Sequence, residues 1–282
     1  MTGLLLLLIG IIAGGYGTIV GAGGGFIFVP ALLLILDMNP VLAAGAGLVI
    51  VLINSLSGVI GYSRQGLIQY RTGLTIGISA IPGSLLGVWL LQSYSSQYFY
   101  VVFATMLVTL GIFLITKNSP FEGKAKNQLA AAEKYPCASC ESVEPDTTEL
   151  VTHKGEMIPL KKGHASINTR LILLGFIIGV LSSYLGIGGG WLLVPILIYI
   201  FKLPAHHATA TSIFSLCIYS SGGVASQLFY NSFDWLTILF GGIGVIIGSQ
   251  LGIILAQRMN GKVIMQMLSI LLVIIGVRMF FS

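Results

Sequence analysis

The residues best placed to do chemistry are two glycine clusters set in apolar sequence. Gly21-Ala22-Gly23-Gly24-Gly25-Phe26, followed by Val29-Pro30, returns as Gly186-Ile187-Gly188-Gly189-Gly190-Trp191, followed by Val194-Pro195. Glycine tolerates positive φ and close backbone approach, so each cluster predicts a break in an apolar helix. In lipid every backbone N–H and C=O needs a partner. Such a break therefore survives only where it is buried in protein or lines a wet cavity. The limb after the break starts with free N–H groups and the positive end of a helix dipole, which favour an anion. Gly23, Gly24, Gly25, Phe26, Gly188, Gly189, Gly190 and Trp191 are accordingly candidate substrate-binding residues. Phe26 and Trp191 either gate this site or pack. Pro30 and Pro195 are expected within the first turn or so of the second limb, where a missing N–H costs little.

Neutral donors accompany the glycines. Asn54 and Ser57 in the first half face Thr211, Ser212, Ser215 and Ser221 in the second. Hydroxyls inside a span often only bond the i−4 carbonyl, but their mirrored placement predicts that some face a cavity. His206 and His207 open an apolar block of the second half. They are candidates for gating or proton linkage, since imidazole changes charge closest to neutral pH. No Asp, Glu, Lys or Arg lies deep in a span, so a carboxylate proton relay has no carrier. That favours facilitated movement down an anion gradient or the membrane potential.

These residues are positioned by a duplicated membrane chain. Charged residues make up 8% and apolar residues 55% of the sequence, against about 25% charge in a soluble domain. The net charge of +5 sits in loops, where it sets orientation, and does not indicate nucleic acid. The shift between the glycine clusters, 186 − 21 = 165, also relates Gly10 and Gly14 to Gly175 and Gly179. It relates Gly83-Ser84 to Gly248-Ser249 as well. Ser57-Gly58 matches Ser221-Gly222 at 164, which predicts a one-residue deletion in the preceding loop. Paired interruptions of this kind point to a transport site.

The expected organisation is repeat 1 over 1–116, a polar linker over 117–170 and repeat 2 over 171–282. The apolar blocks are Leu4–Leu36, Val41–Tyr62, Leu74–Leu91, Phe99–Ile115, Leu171–Phe201, Ala205–Phe229, Leu236–Ala256 and Val263–Phe280. In the first block Leu4–Val20 reaches about 26 Å as helix and Phe26–Leu36 only about 16 Å, so the second limb cannot cross a ~30 Å core. Loop charges reverse between the halves. Arg64 and Arg71 oppose Asp234, the uncharged Gln92–Gln97 loop opposes Arg258 and Lys262, and Asp37 opposes Lys202. By the positive-inside rule the halves are inverted. Inversion requires each first block to be a hairpin returning to its own side, followed by three spans. The fold class is thus all-α and polytopic, with two inverted repeats, each a glycine-broken helical hairpin plus three transmembrane helices. The N- and C-termini are placed outside and the linker in the cytoplasm. Arg278 stands against this and is read as snorkelling to the interface. The first apolar run is kept as structure rather than a cleaved leader, because it pairs with the internal Leu171–Leu185.

Other chemistry is thinner. Cys137 and Cys140 form a C-x-x-C in the linker, with His153 and His164 beyond, but the histidine spacing does not suit zinc. No metal and no cofactor are called for. A membrane thiol–disulfide relay using Cys137 and Cys140 is an alternative function, although the membrane cysteine Cys217 has no partner. A hydrolase built on Gly83-Ser84 lacks a base within the spans. The chain is therefore not expected to be an enzyme.

At both glycine motifs, and at Ala208-Thr209-Ala210-Thr211-Ser212 after the two histidines, the sequence resembles the TauE/SafE sulfite exporter family, also called the toluene sulfonate uptake permease family. The resemblance covers both halves and leaves out the linker. Half one departs from it, reading Ala44-Gly45-Ala46-Gly47-Leu48. It implies an inner-membrane carrier of small sulfur-containing anions (sulfite, sulfonates or sulfoacetate), with the bilayer as surroundings and a homo-oligomer as a compatible state. An anion channel is the alternative within transport.

Overall fold

The computed structural model describes residues 2–93, 103, 105–112, 164–230, 234–259 and 261–280. The described elements are all helical: α1 (Thr2–Val20), α2 (Gly25–Ile35), α3 (Pro40–Arg64), α4 (Tyr70–Ser93), α5 (His164–Leu185), α6 (Gly190–Tyr199), α7 (Ala205–Phe229), α8 (Trp235–Gln257) and α9 (Gly261–Phe280). Residues 105–112 are helical as well, so the block expected over Phe99–Ile115 is seen only in that part. Cys137, Cys140 and His153 lie outside the described residues. α5 begins at His164, before the boundary of 171 drawn from hydropathy.

Among the described residues, four helical stretches are long and apolar enough to cross a bilayer: Gly3–Val20, Pro40–Arg64, Tyr70–Ser93 and Trp235–Gln257. Gly25–Ile35, Leu171–Leu185, Gly190–Tyr199 and Val263–Arg278 are shorter apolar helices. α7 has the length, 25 residues, but carries two histidines and a run of hydroxyls. Large apolar side chains such as Leu4, Ile12, Ile78, Trp89, Leu239 and Ile254 are exposed, an outer surface suited to lipid.

The second long helices of the two halves keep one register. α3 and α7 start at 40 and 205 and end at 64 and 229, so both ends differ by 165. The deletion expected before the second block is absent. Ser57-Gly58 aligns with Gly222-Gly223, and the match to Ser221-Gly222 is a coincidence of one dipeptide. Even the helix stops correspond. Asp37 (φ 48°) and Lys202 (φ 54°), 165 apart, hold left-handed backbone after α2 and α6. Met38 N–H then donates to Leu32 O at 3.2 Å and Leu203 N–H to Leu197 O at 3.1 Å. Side-chain oxygens cap two of the long helices. Asn39 accepts from Val41 N–H and Asp234 from Leu236 N–H.

Small residues bring the long helices into backbone contact. A Cβ on Gly10 would lie 2.5 Å from Gly241 O, and one on Gly14 2.5 Å from Val245 O. Position rises together on the two helices, so α1 and α8 run parallel. The same register recurs at the equivalent positions, where Gly175 faces Ile76 O and Gly179 faces Ala80 O, making α5 and α4 parallel. α3 runs parallel to α8, with Ser57 against Ser249 and Gly61 against Ile253. α3 and α7 instead cross antiparallel, Gly58 meeting Ile213 and Leu48 meeting Gly223.

Candidate functional site

Each glycine cluster folds the chain back on itself. Ala22 and Gly23 N–H both donate to Gly17 O, at 2.8 and 3.2 Å. A Cβ on Gly24 would lie 2.8 Å from Ala13 O, and Phe28 reaches Gly241, the α8 residue packed on Gly10. α2 therefore returns alongside α1. Gly21, Gly23 and Gly24 take φ of 81°, 83° and 77°, and Gly186 and Gly188 take 69° and 75°. Side chains are strained in that region, which explains the glycines. Gly189 differs from its counterpart Gly24, with φ −80°, and its N–H donates to Tyr219 OH at 2.7 Å.

Pro30 and Pro195 are each the sixth residue of their helix, counting from Gly25 and Gly190. They stand beyond the first turn where they were expected. Their missing N–H withdraws the intrahelical partner of the Phe26 and Trp191 carbonyls.

The two tips meet reciprocally. A Cβ on Gly25 would be 2.8 Å from Ile187 O, and one on Gly190 would overlap Gly21 O and lie 2.7 Å from Ala22 Cα. Val51 and its equivalent Leu216 each touch both tips. A Cβ on Gly23 would be 3.1 Å from Val51 and 3.3 Å from Leu216, and one on Gly188 would be 3.0 Å from each. These four residues mark the centre, where the tips are in contact and flanked by apolar side chains. Phe26 and Trp191, which follow the tips, are fully buried, Phe26 with its ring centroid 6.1 Å from that of Tyr16.

Most of the expected neutral donors are occupied. Ser212 Oγ donates across the halves to Gly21 O at 2.9 Å, and Ser215 Oγ to Gly73 O and Thr211 O, both 3.0 Å. Thr211 Oγ1 accepts from Gln69 N–H at 3.1 Å. Ser57 Oγ is shared by Ser249 Oγ and Gln250 Nε2. Ser221 is exposed and bonds Ile218 O. His207 Nδ1 lies 2.9 Å from Leu67 O, which ties the start of α7 to the loop after α3. Asn54 differs from these. Its Oδ1 stands 3.0 Å from Thr18 Oγ1, whose one proton is shared with Gly14 O, while its buried Nδ2 has no partner. Trp191 Nε1, buried beside the second tip, has none either. Asn54 Nδ2, Trp191 Nε1 and Thr209 Oγ1 are thus buried and unspent, Thr209 packing directly on Gly21, and the Trp191 indole N–H had no sequence signal beyond its place after the glycines.

A family profile described as "Sulfite exporter TauE/SafE" matches residues 6–279 of the chain. The chain belongs to the TauE/SafE sulfite exporter family. Curated relatives agree with that membership. A probable membrane transporter protein, YunE of Bacillus subtilis (strain 168), is 28% identical over all of this chain and 98% of its own length. The probable membrane transporter protein MJ0441 of Methanocaldococcus jannaschii is 29% identical, covering 98% of this chain and 94% of its own. A second Bacillus subtilis relative, probable membrane transporter protein YdhB, is 26% identical over 88% of this chain and 86% of its own. No solved structure matches. Family membership and the apolar helices make this TauE/SafE chain a multi-pass membrane protein of a transporter family.

Proposed function

We propose that the protein carries small sulfur-containing anions (sulfite, sulfonates or sulfoacetate) across the inner membrane by alternating access, with the anion held at the glycine tips. The observation that carries this reading is the reciprocal meeting of the tips at Gly25/Ile187 and Gly190/Gly21, flanked by Val51 and Leu216. Two short helices, α2 and α6, start at that point, so their unpaired N–H groups and positive dipole ends converge on one place. Asn54 Nδ2 and Trp191 Nε1 supply side-chain donors. An anion with several acceptor oxygens satisfies such a donor set without a buried cation.

The halves act as inverted repeats in this scheme. α3 and α7 cross antiparallel, and each half lends its third long helix to the other's first, α8 to α1 and α4 to α5. The five residues between Arg64 and Tyr70 reach at most about 18 Å, too short to run α4 parallel to a 25-residue α3, whose length is about 37 Å. Rocking one half against the other then exposes the tips to each side in turn. Direct tip-to-tip contact favours this over a continuously open channel. The 117–170 linker is assigned to the cytoplasm, with Arg64 and Arg71 on the same side.

The test is flux into proteoliposomes under an imposed membrane potential, comparing sulfite, sulfate, thiosulfate and sulfoacetate. Selective flux of a sulfur anion that is lost in Gly189→Trp supports the carrier and its site. Well-folded protein that moves none of them removes the sulfur assignment.

A further inference from the structure

Three pairs of positions related by the 165-residue shift have the same backbone setting and opposite hydrogen bonding. In half one Thr18 Oγ1 donates to Gly14 O at 2.8 Å, Ser55 Oγ bonds Val51 O, and Tyr62 OH donates to Thr18 O at 3.0 Å. All three are buried, and all are paired. Their counterparts are Ser183, Ser220 and Gln227. These are fully buried too, yet Ser183 Oγ, Ser220 Oγ and both amide atoms of Gln227 have no partner.

The surroundings correspond closely. A Cβ on Gly58 would meet Ile213 and the Thr18 methyl, and one on Gly223 would meet Leu48 and lie 3.0 Å from Ser183 Oγ. Tyr62 and Gln227 each stand one turn beyond that glycine. A helical side chain covers the turn N-terminal to its own Cα, which directs the Gln227 amide toward the Gly223 turn, where Ser183 Oγ stands. Ser220 stands on the same face one turn earlier. Half one packs a phenol ring and the Thr18 methyl here. Half two packs a shorter amide and a hydrogen, and in this closed state all three side chains are sealed from any water-sized space, so an occupant enters as the halves move apart. Buried amide and hydroxyl groups left empty-handed are costly, and the economical explanation is a polar occupant.

We propose that Ser183, Ser220 and Gln227 line a second, off-centre binding site for a monoanionic sulfur oxyanion that carries one hydroxyl, resting on the carrier reading above. Ser183 Oγ, Ser220 Oγ and Gln227 Nε2 donate to the anion's oxygens. Gln227 Oε1 is an acceptor, and a fully deprotonated anion would repel it. A ligand with one O–H donor satisfies both ends of the amide. Hydrogensulfite and a hydroxyalkyl sulfonate share that chemistry, whereas sulfite dianion, sulfate and a simple alkyl sulfonate lack it. The site lies about 10 Å along α7 from Leu216 at the centre, seven residues at 1.5 Å each. It sits on the side of the loop after α7. The equivalent point of half one is sealed by the Tyr62–Thr18 bond, so the route to the centre holds a docking point on one side only.

The experiment measures uptake KM in proteoliposomes of the full chain for wild type, Gln227→Leu, Ser183→Ala and Gln227→Tyr. Sulfite is tested at acid and alkaline pH, and 2-hydroxyethanesulfonate against ethanesulfonate. Gln227→Leu keeps the side-chain size, and size-exclusion profiles check folding. The expected result is that Gln227→Leu raises KM by about tenfold or more for the hydroxyl-bearing anion. The effect on ethanesulfonate should be much smaller, and Gln227→Tyr should close the site by reproducing half one. A preference for hydrogensulfite over the dianion and one for 2-hydroxyethanesulfonate over ethanesulfonate identify the two sources separately. Unchanged KM for every anion in Gln227→Leu and Ser183→Ala, with active wild type, overturns the second site. Wild type that moves no sulfur anion at all overturns the carrier reading, and this site with it.

Discussion

Gly190→Ala probes the contact on which the transport scheme rests. The added Cβ would overlap Gly21 O and stand 2.7 Å from Ala22 Cα and 2.8 Å from Leu216 Cδ1. Carbon atoms pack best at about 3.5–4.0 Å, so the opposite tip must retreat by about 1 Å. Two of the three obstructing atoms are backbone and cannot rotate away. Overfilling a packed core costs about 1–3 kcal/mol, and the rigidity of this contact argues for the upper part of that range. If the closed-tip state alone bears the cost, about 2–3 kcal/mol disfavours it by about 30- to 150-fold. Initial uptake rates should fall accordingly while the solubilised protein still elutes as a folded species. Gly242→Ala is the control, because its Cβ would meet only Ile53 Cδ1, at 3.1 Å. Replacing a helix-interior glycine there should leave flux unchanged and raise stability by up to about 1 kcal/mol. Normal flux in folded Gly190→Ala would refute the requirement for tip closure.

Three other outcomes follow from the same contacts. Tyr219→Phe strands the buried Gly189 N–H at a cost of about 1–3 kcal/mol; a thermal midpoint equal to wild type in detergent would contradict that bond. Ser212→Ala removes the link from α7 to Gly21 O and should cost about 0.5–1.5 kcal/mol, read as a lower midpoint in the same assay. Trp191→Phe deletes an N–H that has no protein partner and leaves a small cavity at a fully buried position, so the midpoint should fall slightly while KM for the transported anion rises; a lower midpoint with KM unchanged would assign the indole to packing alone.

The duplication, the helix breaks and the apolar outer surface were legible because each depends on residue type along one chain. Glycine at 21, 23, 186 and 188 meets a backbone need for positive φ, and that need is visible in sequence. The register was only partly legible. Ser57-Gly58 resembles Ser221-Gly222 locally, and only the helix ends show that 165 applies throughout. The use of hydroxyls was not legible, because a serine bonded to a carbonyl and an unpaired one have the same letter. Ser212 and Ser215 are spent on the backbone of other helices. Gln227, near the end of the Ala205–Phe229 block, is wholly buried and unpaired. The 165-residue shift pairs it with Tyr62 in sequence, but that one is bonded and the other unpaired shows only in the structure.

The central claim is a sulfur-anion carrier that alternates, and trans-stimulation tests it most directly. Proteoliposomes are preloaded with unlabelled sulfite, and entry of labelled sulfite is timed against empty vesicles. The account predicts that internal sulfite accelerates entry, because a loaded carrier returns faster than an empty one, and that Gly190→Ala loses this acceleration. Rapid sulfite entry that is indifferent to internal sulfite would contradict alternating access and describe a channel.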